Sequence, residues 1–143
     1  MLECLILGDS IAVGTQQFRH ECAIYAQSGI NSQQWRKKYL QGDKGALPQA
    51  RTAIISLGSN DHKGVRTVLE LQQIRKAVNA EQVFWILPHS TNPAGGSEIE
   101  WIQSFVKVVA AENNDIVLPI TRVQKDNVHP TWSGYRELAA ATR

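Results

Sequence analysis

The sequence predicts an α/β protein built on a parallel sheet, and three observations carry that prediction. Short apolar runs alternate with longer segments at helical spacing, which is the pattern of strands joined by crossover helices. One run, Ala53-Ile54-Ile55-Ser56-Leu57, is nearly continuous in apolar character, as strands covered on both faces are. The chain is 143 residues long, the size of a single domain that buries its core without staples. We therefore read residues 1–143 as one domain.

Residues 3–7 open the sheet. Gly8-Asp9-Ser10 breaks that run, and a helix follows from Ile11 to Arg19. Ala23-Ile24-Tyr25-Ala26 is the second strand, closed by Ser28-Gly29 ahead of a polar helix that carries Trp35 and Tyr39 on one face. Gly42, Gly45 and Pro48 mark a loop before the third strand, which stops at Gly58-Ser59-Asn60-Asp61. Val65, Val68, Leu69, Ile74 and Val78 fall near helical spacing and lead into Val83-Phe84-Trp85-Ile86-Leu87, ended by Pro88. A Pro/Gly-rich loop runs from His89 to Gly96. Ile99, Ile102, Phe105, Val106 and Val109 form the next amphipathic helix, with Ser97 as its expected cap. Ile116-Val117-Leu118 is the fifth strand, and Pro130 and Thr131 introduce a last helix reaching Ala141.

Composition narrows the function. A net charge of +2 with scattered basic residues gives no case for nucleic acid, and Arg36-Lys37-Lys38 reads as the solvated face of a helix. No apolar run approaches the ~20 residues of a membrane span, so no membrane insertion is expected. The start Met1-Leu2-Glu3-Cys4 lacks the basic region of a secretion signal, which points to the cytoplasm. Cys4 and Cys22 fall in segments read as strands and are expected to be buried and reduced. Trp35, Trp85 and Trp101 read as core or helix-packing residues.

Parallel sheets bind ligands outside the carboxyl ends of their strands. Ser10, Gly29, Asn60 and the Asp126–His129 stretch each follow a strand, so the topology gathers all four at one rim. Ser10 taken alone reads first as a helix cap, since Ser and Asp are favoured there without any chemistry. With a histidine on the same rim it becomes a candidate nucleophile, because a serine hydroxyl needs a base to take its proton. Asp126-Asn127-Val128-His129-Pro130 supplies that base and, from the same loop, a carboxylate to orient it. The backbone N–H groups of Ser10 and Gly29 and the amide of Asn60 are candidate oxyanion donors. Asp9 and Asp61 read as local caps, and His62 is the strongest competitor to His129 as base. His89 lies on a neighbouring rim loop as a candidate substrate contact. Trp132 follows the base closely and reads either as a wall of the site or as packing.

Gly8-Asp9-Ser10, Gly29, Gly58-Ser59-Asn60-Asp61 and Asp126-x-x-His129-Pro130 together resemble the four blocks of the SGNH hydrolases, the GDSL esterases and lipases. The resemblance spans nearly the whole chain. It implies a three-layer α/β/α sandwich, flavodoxin-like, with a five-stranded parallel sheet in the order 2-1-3-4-5. It also implies an ester hydrolase needing no metal or cofactor, in which Ser10 attacks, His129 is the base, Asp126 orients it, and Ser10, Gly29 and Asn60 hold the oxyanion. Small size and the polar loop His89-Ser90-Thr91-Asn92 suggest short acyl groups, notably acetyl on a small-molecule or carbohydrate ester. Thioester or lysophospholipid cleavage on the same triad, and a binding module without turnover, are the alternatives. A nucleotide binder is disfavoured because no Gly-x-Gly-x-x-Gly or Walker lysine follows the first strand.

Overall fold

The computed structural model describes residues 1–40, 47–92 and 97–143. Five strands, β1 (Leu2–Gly8), β2 (Ala23–Ala26), β3 (Ala50–Ser56), β4 (Ala80–Leu87) and β5 (Ile116–Pro119), alternate with five helices. The helices are α1 (Ser10–Gln16), α2 (Ser32–Tyr39), α3 (Thr67–Ala77), α4 (Ile99–Glu112) and α5 (Trp132–Ala141). All strand pairings are parallel and the order is β2-β1-β3-β4-β5, the topology implied by the four blocks.

Side chains alternate across the central strands, so each strand serves two cores. Leu5, Leu7, Ala53, Ile55, Val83 and Trp85 face one layer, where Trp35 of α2, Leu71 and Ile74 of α3 and Val106 and Val109 of α4 cover them. Cys4, Ile6, Ile54, Phe84 and Ile86 face the other, under Ile11 and Ala12 of α1 and Leu138 of α5. Burying Trp35 and Trp85 completely contributes on the order of 3 kcal/mol each, so these two anchor the larger layer. Because β1 pairs with β2 on one side and β3 on the other, the strand order reverses at β1, and in open parallel sheets ligands bind at the carboxyl end of such a reversal.

Several local expectations need correction. The regular part of α1 ends at Gln16 rather than Arg19, because the N–H groups of Gln17, Phe18 and Arg19 tighten to carbonyls three residues back. β3 starts at Ala50, where it pairs with both Leu2 and Ala80. Ser97 does not cap α4: Glu98 stands at that position without a side-chain bond, and the Ser97 carbonyl accepts from Thr91 Oγ1 at 2.9 Å. Trp101 is not a packing residue of the core; it is exposed and stacks on Phe105. Arg36 is not simply solvated, since it pairs with Glu70 across the α2/α3 seam, whereas Lys37 and Lys38 are exposed. Gly42, Gly45 and the 93–96 part of the Pro/Gly-rich loop lie outside the described residues.

The cysteines are buried but not reduced. Leu5 pairs with Ala23, so the residues before them, Cys4 and Cys22, meet across the β1/β2 edge with Cα atoms 4.6 Å apart and form a disulfide. Cys22 precedes β2 instead of lying within it. Among the described residues no helix is long and apolar enough to cross a membrane.

Candidate active site

The turn that carries Ser10 depends on Gly8. Its φ of +141° belongs to glycine, and a Cβ there would sit 1.9 Å from the Ser56 carbonyl oxygen. β1 therefore turns directly against β3, and the Asp9 N–H donates to that same carbonyl at 3.0 Å. Asp9 is the N-cap of α1: its Oδ1 accepts from the Ile11 N–H at 3.0 Å and from Ser56 Oγ at 3.1 Å. Its carboxyl is wholly buried, Oδ2 has no partner among the described residues, and desolvation pushes its pKa up to about 7.

With Asp9 performing the capping, Ser10 becomes the first residue of α1, half-buried at the rim, and its hydroxyl turns elsewhere. Ser10 Oγ lies 2.7 Å from His129 Nε2. As the first helical residue, Ser10 also has no intrahelical acceptor for its own N–H.

His129 arrives on the excursion between β5 and α5. Val123 and Pro130 pair as an antiparallel bridge, and the Gln124 N–H donates to the His129 carbonyl at 2.8 Å, which closes a tight loop. Asn127 takes a left-handed φ of +63° at its tip. Asp126 organises the rest. Its Oδ1 accepts from the N–H groups of Val128 and His129 at 2.9 and 3.0 Å, and its Oδ2 lies 2.6 Å from His129 Nδ1. The His129 hydrogen bond, followed by the two backbone donors, pulls the Asp126 pKa down to about 2. A carboxylate accepts only, so it holds the imidazole proton on Nδ1 and leaves Nε2 to accept from the serine hydroxyl. The His129 and Asp126 side chains are 35% and 44% exposed, so the site is open and shallow.

The third and second blocks meet each other at the same end of the sheet. The Gln27 N–H donates to the Gly8 carbonyl at 3.0 Å, which seats the 27–30 loop against the end of β1. Gly29 is exposed with φ +81°, and a Cβ built on it would meet nothing within 4 Å. Asn60 reaches across to this loop, donating one amide proton to the Ile30 carbonyl at 3.1 Å. The amide has two N–H bonds, so its second donor is left for another acceptor. A cleft of about 310 Å³ opens here, lined by Gln27, Ser28, Gly29, Ile30, Gln34 and Lys38.

The remaining candidates are placed as follows. Asp61 is buried and accepts from Ser32 N–H, Ser32 Oγ and Thr67 Oγ1, tying the starts of α2 and α3 together; burial raises its pKa. His62 is exposed and its Nδ1 accepts from the Gly64 N–H at 3.0 Å, which engages it within its own loop. Trp132 is 69% exposed, and its ring packs edge-on against Phe18 at 5.3 Å, with Arg136 over the other ring. His89 faces the tip of the Asp126–His129 loop, its Nδ1 2.9 Å from the Asn127 carbonyl oxygen. Among the described residues, metal-ligating side chains group at Cys4, Glu21 and Cys22, where both sulfurs are tied in the disulfide. Sequence reasoning missed Ser56 as the partner of Asp9, because a serine inside an apolar strand carries no signal of what it meets across the sheet.

No protein-family model matches the sequence, and no curated protein sequence is significantly similar to it. Known structures match well. A GDSL-like lipase from Bacteroides thetaiotaomicron superposes with a TM-score of 0.63 at 17% identity, over 96% of this chain and 84% of that one. The chain shares the α/β/α fold of this GDSL-like lipase. The catalytic domain of a peptidoglycan O-acetyltransferase from Streptococcus pneumoniae matches the same fold with a TM-score of 0.67 at 17% identity, over 99% and 92% of the two chains. A catalytic mutant of an acetylxylan esterase from Geobacillus stearothermophilus matches with 0.62 at 13% identity, over 98% and 91%. Within this fold, Ser10, Gly29, Asn60 and the Asp126–His129 loop all follow the carboxyl ends of strands.

Proposed function

We propose that this chain is a serine ester hydrolase that works through an acyl-enzyme on Ser10, with short acyl groups, above all acetyl, carried by a hydrophilic alcohol such as a sugar. The observation that carries the reading is the unbroken relay from Ser10 Oγ to His129 Nε2 and from His129 Nδ1 to Asp126 Oδ2. His129 takes the serine proton as Oγ adds to the ester carbonyl, and the ionised Asp126 stabilises the imidazolium that results. The N–H groups of Ser10 and Gly29 and the second amide proton of Asn60 then hold the oxyanion. Collapse expels the alcohol with the proton from His129. Water repeats the sequence on the acyl-enzyme and releases the acid.

Gln27, Ser28, Gln34 and Lys38 around Gly29 suit a hydroxyl-bearing moiety better than an aliphatic chain. Two proteins sharing the fold are named for acetyl groups on xylan and on peptidoglycan. Trp132, three residues after His129 in the chain, is an exposed aromatic that also makes a T-shaped contact with Phe18. The Cys4–Cys22 bridge favours an oxidising compartment over the cytoplasm. Hydrolysis of p-nitrophenyl acetate, butyrate and octanoate by wild type and Ser10→Ala tests the reading. Release confined to wild type and falling with chain length supports it, equal release by both proteins removes the nucleophile, and a preference for octanoate removes the acyl class.

A further inference from the structure

We infer that His89 is a positioning residue that fixes the catalytic loop from outside, rather than a substrate contact; the inference rests on the Ser10–His129–Asp126 reading. The bonds inside the loop set Asp126 relative to His129 and leave open where the pair sits relative to Ser10. Asp126 accepts from Val128 and His129, Asn127 N–H donates to the Gln124 carbonyl, and Gln124 bonds to His129 and Pro130. Among the described residues, the hydrogen bonds that join residues 123–130 to the rest of the rim are two: His129 to Ser10, and Asn127 to His89.

The first of these must break and re-form in every turnover, as the proton moves and Oγ becomes bonded to the acyl carbon. The second has no such duty. His89 stands two residues beyond the end of β4, and β4 neighbours β5, from which the loop departs. A carbonyl oxygen accepts only, so His89 Nδ1 carries the proton and donates it. The acceptor is the carbonyl of Asn127, the left-handed residue between Asp126 and His129. Holding that peptide holds the tip around which both triad side chains are hung. Both the neutral Nδ1–H tautomer and the imidazolium can donate, so the tether survives protonation of His89.

A displacement of about 1 Å in a reacting group costs on the order of 10²-fold in rate. Removing the tether should therefore lower kcat by about 10- to 100-fold and leave KM for a small ester within about twofold of wild type. The variants are His89→Ala, His89→Asn, whose amide nitrogen takes nearly the place of Nδ1, and His89→Gln, whose amide does not. They are assayed on p-nitrophenyl acetate beside wild type and Ser10→Ala. Nitrogen-15 relaxation of the Asn127, Val128 and His129 amides is measured on each protein. The inference predicts low kcat with unchanged KM and a mobile loop in the alanine variant, and recovery of both in the asparagine variant. If the alanine variant does not fold, asparagine above glutamine in kcat and in loop order carries the same prediction. A kcat within twofold of wild type, a rise in KM alone, or loop amides as rigid as before overturns it. Turnover that persists in Ser10→Ala overturns instead the underlying reading of the site, and the His89 role falls with it.

Discussion

Ser10 Oγ and His129 Nε2 stand 2.7 Å apart although 119 residues separate them in the chain. Neither residue reaches the other through its own element alone. Ser10 is raised by the Gly8 turn at the strand-order reversal, and His129 is carried over from the β5 edge by a loop wired around Asp126.

Groups that act as a unit lose their effect together. Ser10→Ala and His129→Ala should each lower kcat by several orders of magnitude in a folded protein, and the double variant should be scarcely worse than either. Steady-state kinetics on all three decide this. Losses that simply multiply would mean the two side chains act independently.

Asp126→Asn should cost up to about 10⁴-fold in kcat, because an amide can present its N–H to His129 Nδ1 and favour the wrong tautomer. Asp126 itself stays ionised until the pH approaches about 2, so the acid limb of the wild-type pH profile should not belong to it. A limb that moves with substitutions at residues other than Asp126 would agree; one abolished only by Asp126→Asn would not.

Asn60→Ala should lower kcat on the order of 10²-fold with little change in KM, as expected for a donor whose bond strengthens when the oxyanion forms. Since Asn60 also bonds the Ile30 carbonyl, the melting temperature needs to be read alongside. A loss of stability with full kcat would assign Asn60 to loop anchoring alone.

Asp9 gives the fold an unusual dependence on pH. Its pKa is raised from 3.8 to about 7, so its contribution to stability is complete below 3.8 and is lost as the pH rises through about 7. Asp9→Asn keeps an acceptor for Ile11 N–H and Ser56 Oγ but cannot ionise. The melting temperature of this variant relative to wild type should climb across that window. A constant difference would place the Asp9 effect outside ionisation.

The disulfide closes a sequence separation of 18 residues, for which loop entropy gives roughly 3 kcal/mol. Thiol titration should find no free cysteine until the protein is unfolded and reduced, and reduction should lower the melting temperature. Two titratable thiols in the freshly purified protein would restore the expectation of reduced cysteines.

The rim was legible because periodicity places four short blocks at strand ends, and the strand order because those blocks resemble a known family. Longer-range partnerships were not. Cys4 and Cys22 looked like ordinary small hydrophobes; only the register, in which Leu5 meets Ala23, brings them side by side. Ser10 taken alone looked like a cap, and the strand-end topology with the histidine loop marked it as a candidate nucleophile; Asp9 was legible as the cap that it is. His89 was legible as a rim residue, yet nothing in its neighbourhood in the chain indicates that it faces Asn127. Trp101 read as packing from its residue type, but Ile102, Val106 and Val109 form the buried stripe of α4 and Trp101 falls beside it, exposed.

The most direct test of the account is mass spectrometry of protein quenched during turnover of p-nitrophenyl acetate. The account predicts one acetyl group on the peptide that carries Ser10, absent from Ser10→Ala and accumulating when deacylation is slowed. Hydrolysis without a labelled peptide, or a label on another residue, would contradict it.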